Sequence, residues 1–378
     1  MNHHSMPLPN EEHEPSSDSP RHGRFRRTAP RLRDPGRRRT GLTALAATAV
    51  LATVALGCEP PPGDPAPSVP RPPTVSQRMP LAGCSIYPKD NVFAADVTHL
   101  PTKPESGAIL NNIGRSESVK AGFGSKIWLG SRPGIPINVV DSRVAPRVDF
   151  VLGKYGDISD PGPFPMPQNA QLEGSPGLAW DQHLLNLDVA TCQSYEFFYV
   201  TPPDRNLLYR WVAQGAYVFD LTTNDFPDSH AATASGVSML SSMVRYDEVA
   251  SGRIDHALGF TIPTIKAAEV DWPARATDGV SADPTAPPMG TWIRLRPNVD
   301  MSRLGPQARV VAEALQAHGA ILVDTGSHSQ VTLGGAPDDR WDDADLATLD
   351  ALTMTDFDVI DPSSMQRSPD SWAVRTTG

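Results

Sequence analysis

Cysteine is scarce in this chain. Cys58, Cys84 and Cys192 are its three cysteines among 378 residues, with no CxxC pair, so a zinc site built from thiolates is excluded by count. Also missing are a G-x-S-x-G elbow, S-x-x-K, H-E-x-x-H, a Walker loop and a complete G-x-G-x-x-G; Gly122-Phe-Gly124 stops short. The usual serine hydrolases, penicillin-binding enzymes, zincins and nucleotide-binding folds lose their support, and no cofactor or metal is expected. A triad assembled from distant residues is left open, because such triads are defined by geometry. Basic charge is short as well. Residues 1–57 carry nine Arg against five acids, which leaves 24 basic and 38 acidic residues from Cys58 onward. A chain that acidic repels phosphate backbones, so nucleic acid is not an expected partner.

No apolar run is long enough for a comfortable membrane span of about 20 residues. The longest, residues 41–56, suits a signal h-region instead, and it comes after a polar start and an arginine-rich run. It ends at Ala55-Leu56-Gly57-Cys58. This resembles the bacterial lipoprotein signal, whose lipobox is cut before a cysteine that becomes lipidated; Gly57 and Cys58 match it, while Ala55 and Leu56 stand in reversed order. The resemblance implies lipidation at Cys58 and an extracytoplasmic chain whose partner is the membrane that holds its acyl chains. A plain transmembrane anchor is the alternative, and it puts the remainder on the same side. Residues 59–80 contain nine prolines and read as an extended, semi-rigid tether.

From residue 81 the chain is expected to be mainly β: a jelly-roll-like sandwich over residues 81–362 with a C-terminal β-α-β-β appendage and a disordered tail, 363–378. Short apolar or alternating runs bounded by Pro, Gly, Asn and Asp predict strands at 135–140, 147–152, 183–188, 194–201, 209–213, 216–221 and 254–262. Strands at 291–296, 320–324 and 330–333 flank a helix at 306–318 with proline in its first turn and Gly319 as its stop. Further helices are expected at 108–114 and 342–352, and short ones at 228–236 and 245–250. The acids of residues 337–345 suit helix capping better than a calcium loop, since the glycine and spaced acids of an EF-hand are missing. In an oxidising compartment Cys84 and Cys192 can form one disulfide; two separate buried thiols are the alternative.

The candidate site begins in residues 157–183, where Pro161, Pro163, Pro165 and Pro167 alternate to make a stiff extended loop. Asp181 and His183 are two apart and so share a strand face with Leu185 and Leu187. His256 repeats the pattern with Ile254, Leu258, Phe260 and Ile262. Each histidine reads either as a satisfied core residue or, if the two faces meet in a cleft, as a proton-transfer or metal-ligating group. In the cleft reading Asp181 orients the ring, and Glu173 or Asp220 serves as the carboxylate partner. Trp180, Tyr217 and Trp272 could stack on sugar rings, and Arg275 could hold a carboxylate bidentately.

The segments DPGPFPMP, DQH, GAYVFDLTTN and RYDEVASGRIDHALGF resemble the signature of a family of secreted bacterial proteins of unassigned activity, over roughly residues 84–361. The resemblance implies one large extracellular domain and transfers no catalytic residue. The expected function is a cell-surface lipoprotein that recognises, or recognises and cleaves, a polysaccharide or glycoconjugate. The alternative is a non-catalytic envelope or adhesion module that binds a protein partner.

Overall fold

The structure, a computed structural model, describes residues 78–177 and 179–375. The leader, Cys58 and nearly all of the tether lie outside the described residues. Strand outweighs helix, as the alternating runs imply.

In chain order the strands are β1 (Val119–Ala121), β2 (Ile137–Val140), β3 (Arg147–Val148), β4 (Val151–Leu152), β5 (Phe164–Pro165), β6 (Leu184–Asp188) and β7 (Gln193–Phe198). They continue with β8 (Val212–Ala213), β9 (Gly215–Asp220), β10 (Leu258–Ile262), β11 (Trp292–Leu295), β12 (Ala320–Thr325), β13 (Val331–Leu333) and β14 (Phe357–Ile360). The helices are α1 (Ser106–Ile113), α2 (Tyr246–Ala250), α3 (Pro306–Ala317) and α4 (Asp343–Leu346), the last continuing as a 3-10 turn. Residues 228–236 form no helix, and the run 147–152 breaks into two strands. Val148 pairs with Phe164 while Val151 pairs with Val212, so the chain leaves one partner for another in between.

Two sheets carry the fold. The larger has the order β1-β13-β10-β12-β11-β14, and the smaller β2-β6-β7-β9. β10 runs parallel to β12, β1 to β13 and β2 to β6, a mixed pairing that the antiparallel connectivity of a jelly roll does not have. The β-α-β-β unit forms as expected, but β11 and β12 sit inside the larger sheet beside β10 instead of standing apart as an appendage. The reason lies in the faces of β12. Ala320 and Leu322 join an apolar cluster with Val311 and Leu315 of α3, while Ile321 and Val323 join a second cluster with Leu185 and Leu187 of β6 and Phe219 of β9. A strand that is buried on both faces belongs in the middle of a sheet.

A third cluster, with Leu184, Phe197 and Ala216, fills the other face of the smaller sheet, where Phe150 stacks on Phe197 at 4.5 Å. Cys84 and Cys192 are bridged, tying the turn at the start of the described chain to the β6–β7 hairpin. The expected disordered tail is a correction for its described part. Ala373 bridges Asn91 and Val374 bridges Gln366, and Trp372 is buried against Phe226 and Tyr87 with its indole N–H donating to the Pro273 carbonyl. The apolar Trp372-Ala373-Val374 trio gives this segment something to bury, which a polar tail would not have.

The acids of residues 342–345 cap helices. Asp342 accepts from the N–H groups of Ala344 and Asp345, and the Asp345 carboxylate reaches the first turn of α3, accepting from Gln307 and Ala308 at 3.0 and 2.9 Å.

Candidate functional site

β6 begins one residue after His183, and the chain entering it is folded back on itself. Trp180 and Gln182 both have positive φ, 61° and 51°, in the left-handed region that side chains seldom adopt. The turn brings Glu173 alongside: its N–H donates to the His183 carbonyl at 2.8 Å, and its Oε2 stands 2.8 Å from His183 Nδ1. His183 is buried, 6% exposed, and its Nε2 has no hydrogen-bond partner in the protein.

Burial works against the imidazolium, but the Glu173 charge and hydrogen bond, helped by Asp324 and Asp181, outweigh it and raise the His183 pKa to about 9. Asp324 is the member of this group that the strand pattern did not reveal. Burial pushes its carboxyl up to about 7 against the pull of His183. Asp181, at the surface, is also raised by desolvation, opposed by His183. At neutral pH the cluster therefore holds a cationic ring and, within its field, an acid poised between its two protonation states.

A bulge aims Asp324. Phe260 pairs with Leu322 and Thr261 with Asp324, so Val323 is an extra residue in the β10–β12 ladder. Under strict alternation Asp324 would share the face of Leu322; the inserted residue breaks that alternation, and the carboxyl accepts from the Thr325 N–H at 2.8 Å within the field of His183. No sequence signal marks such a slip.

The surroundings of the cluster carry exposed aromatic and apolar side chains. Trp180 is 39% exposed and Tyr199 43%. Tyr199 follows Phe198, whose ring lies 5.5 Å from that of His183. Ser131 bridges Pro176, which places the turn of Ile127, Trp128 and Leu129, all exposed, beside the same loop.

His256 does not join this site, which corrects the shared-cleft expectation. It is fully buried, with Nδ1 donating to the Ala257 carbonyl and Nε2 facing Glu248 at 3.3 Å. Burial and the charges of Arg78 and Arg245 lower its pKa against the pull of Glu248. It precedes Leu258, which pairs with Ala320, whereas Asp324 lies at the other end of β12, roughly 13 Å along the strand. Alternation alone could not separate a core histidine from a cleft histidine, because both sit on an apolar face.

The expected binding residues also scatter. Tyr217 is buried, its hydroxyl pushed up to about 12 by desolvation, and presents no face to a sugar. Asp220 is exposed at the end of β9, where it accepts from the Thr222 N–H and hydroxyl. Trp272 is partly buried, with its indole N–H on the Ser371 carbonyl. Arg275 spends its guanidinium on the carbonyls of Pro227 and Ser229 and lies over the Phe226 ring. Of the sequence-derived set, the structure brings together Glu173, Trp180, Asp181 and His183. Among the described residues no group of three or more His, Cys, Asp and Glu is arranged to hold a metal ion. No family model, curated protein or solved structure matches the chain.

Proposed function

We propose that this chain is a lipid-anchored protein of the bacterial envelope that recognises a polysaccharide or glycoconjugate at the Glu173–His183–Asp324 cluster. One observation carries the reading: a cationic imidazole with an unpartnered Nε2 is grouped with carboxyls of raised pKa beside exposed tryptophan and tyrosine rings. Flat aromatic faces suit the apolar face of a sugar ring, and carboxylates suit its hydroxyls. In the cleaving form of this reading, Asp324 protonates the departing glycosidic oxygen and Asp181 takes the proton of the water that adds to the anomeric carbon, while Glu173 holds the His183 ring through Nδ1. The two sheets are read as a sandwich whose loop-bearing rim presents the site, and the lipobox at Cys58 as the anchor.

The rival, a non-catalytic module that binds a protein, is favoured by a different feature. Leu207, Leu208 and Tyr209 form an exposed apolar loop, 92%, 58% and 80% accessible, which suits a protein surface better than a sugar. Glycan-array binding by the full chain decides between them when joined to product analysis on each bound polysaccharide. Binding lost in Trp180→Ala, with product release lost in His183→Ala and Asp324→Asn, supports the catalytic reading. Binding without product in any variant leaves a lectin-like role, and no glycan binding at all supports the protein-binding module.

A further inference from the structure

Twelve large apolar side chains are exposed among the described residues, and they are not spread evenly. Eight of them, including all four exposed aromatics, belong to three segments: residues 127–129, Trp180, and residues 199–209. The topology gathers these segments. Ile137 of β2 pairs with Leu185 of β6, Leu184 with Phe197 of β7, and Phe198 with Gly215 of β9. The chain entering β2, the chain entering β6 and the hairpin from β7 to β9 therefore all stand at one end of the smaller sheet. Ser131 bridges Pro176, and the Val200 N–H donates to the Gln182 carbonyl at 3.1 Å, which stitches the three together.

Two of the segments are turns whose backbone is fixed from within. Trp128 and Ser131 exchange both backbone hydrogen bonds, at 2.8 and 3.0 Å, around Leu129 and Gly130. Thr201 and Val212 do the same, at 2.9 and 3.1 Å, at the root of the hairpin that carries Leu207, Leu208 and Tyr209. Inside that hairpin Asn206 donates to the carbonyls of Pro202 and Arg210 at 2.7 and 2.8 Å and accepts from the Leu208 N–H at 2.9 Å. A loose loop would fold its leucines onto the domain; these turns keep theirs in water, where an apolar patch marks a contact surface. The charge of the segments narrows the choice of partner. Lys126, Arg205 and Arg210 are exposed and enter no ion pair among the described residues, against the two acids Asp181 and Asp204, whereas the chain from Cys58 onward has 38 acids to 24 basic residues. A protein-binding patch keeps charge out of its core. Here the apolar tips stand on separate turns with a cation beside each, the arrangement of a surface that enters the headgroup layer of an anionic membrane.

We propose that this end of the smaller sheet docks on an anionic lipid bilayer. Trp128, Leu129, Leu207, Leu208 and Tyr209 enter the interface, and Lys126, Arg205 and Arg210 meet the lipid phosphates. The proposal rests on neither the glycan reading nor an acyl chain at Cys58. The full chain carrying Cys58→Ser tests it: with Cys84 and Cys192 bridged, a single added thiol takes a nitroxide label. One label goes at Leu208→Cys and a control at Val144→Cys, which is exposed in the turn that leaves β2 at the opposite end. With vesicles of phosphatidylglycerol and phosphatidylcholine, the label at 208 should gain oxygen accessibility and lose access to a water-soluble nickel complex in power-saturation measurements. The label at 144 should stay in water. A chain held by residues 41–56 alone leaves both labels in water, so the leader does not mimic the result. Arg205→Gln with Arg210→Gln should raise the lipid concentration at half-saturation about fivefold, and added salt should act in the same direction. Both labels remaining in water, both immersed alike, or equal immersion on pure phosphatidylcholine would each overturn the proposal; the first would leave the tips to a protein partner.

Discussion

His183 keeps a proton that its burial alone would remove. Glu173, 2.8 Å from Nδ1, supplies the opposing charge, and the folded-state pKa rises to about 9 from the ordinary 6.5. A group whose pKa rises on folding stabilises the native state fully below its unfolded value, and that contribution fades as pH climbs through the folded one. Stability should therefore fall between about pH 6.5 and pH 9, by up to about 3 kcal/mol. Asp324, raised to about 7, works in the same direction over a lower window, its contribution present near pH 4 and lost through pH 7. Chemical denaturation across pH should show both declines, the upper one missing in Glu173→Gln and the lower one in Asp324→Asn; a flat profile in the parent chain would contradict the assignment. Much of this group is legible in the sequence. Glu173 and His183 are ten positions apart in sequence, so short a segment that a turn within it, marked by Gly174 and Pro176, keeps them near each other. Asp324 is hidden because its orientation depends on one extra residue in a ladder, which leaves no trace in composition or period.

At the level of the element, the ion cluster beneath α2 shows how a polar group can belong wholly to the core. Glu248 is almost completely buried, accepts from Arg245 Nη2 at 2.5 Å, faces His256, and lies within the field of Arg78. Arg78 in turn donates to the carbonyls of Ile86 and Ser241, fastening the start of the described chain to the domain. Despite burial, which raises it, the Glu248 pKa is held below its ordinary value by His256 and the two arginines. Removing one cation leaves a buried carboxylate uncompensated, so Arg245→Met should cost about 3–5 kcal/mol in a urea titration. Glu248→Gln should cost about as much, since it leaves the buried guanidiniums of Arg78 and Arg245 without their counter-charge. Losses under about 1 kcal/mol from both variants would argue that packing, not charge, holds the cluster. The short helix α2 is readable from residues 245–250, and so is α3 from its proline start and glycine stop. The partner of His256 is not, because Glu248 reads as an ordinary helix-face acid until the fold turns it inward.

Across the whole molecule, the closure of long loops matters most. The Cys84–Cys192 bridge joins residues 108 apart in sequence, and a crosslink of that span removes denatured-state entropy worth about 4–5 kcal/mol at most. The Cys84→Ala/Cys192→Ala double variant should lose a large part of that in denaturant midpoint, and mass analysis of the non-reduced chain should find no free thiol at either position. Cysteine count makes the bridge one of two readings. Sheet order is beyond reach, because β10 and β12 are parallel neighbours drawn from distant segments and local periodicity carries no information about which strands meet. This is why the C-terminal unit reads as an appendage when it supplies the middle of the larger sheet. The same limit scatters Tyr217, Trp272 and Arg275: each residue type is suited to a sugar site, but their positions are set by loops that only the fold brings together.

A saccharide is proposed to meet the protein at His183. The most direct measurement records the His183 imidazole and Trp180 indole resonances by NMR while an oligosaccharide identified on a glycan array is titrated into the full chain. Both sets should shift together and saturate at the concentration that saturates binding, and Trp180→Ala should remove the response. Binding that leaves both rings unperturbed would place the sugar elsewhere and contradict the account.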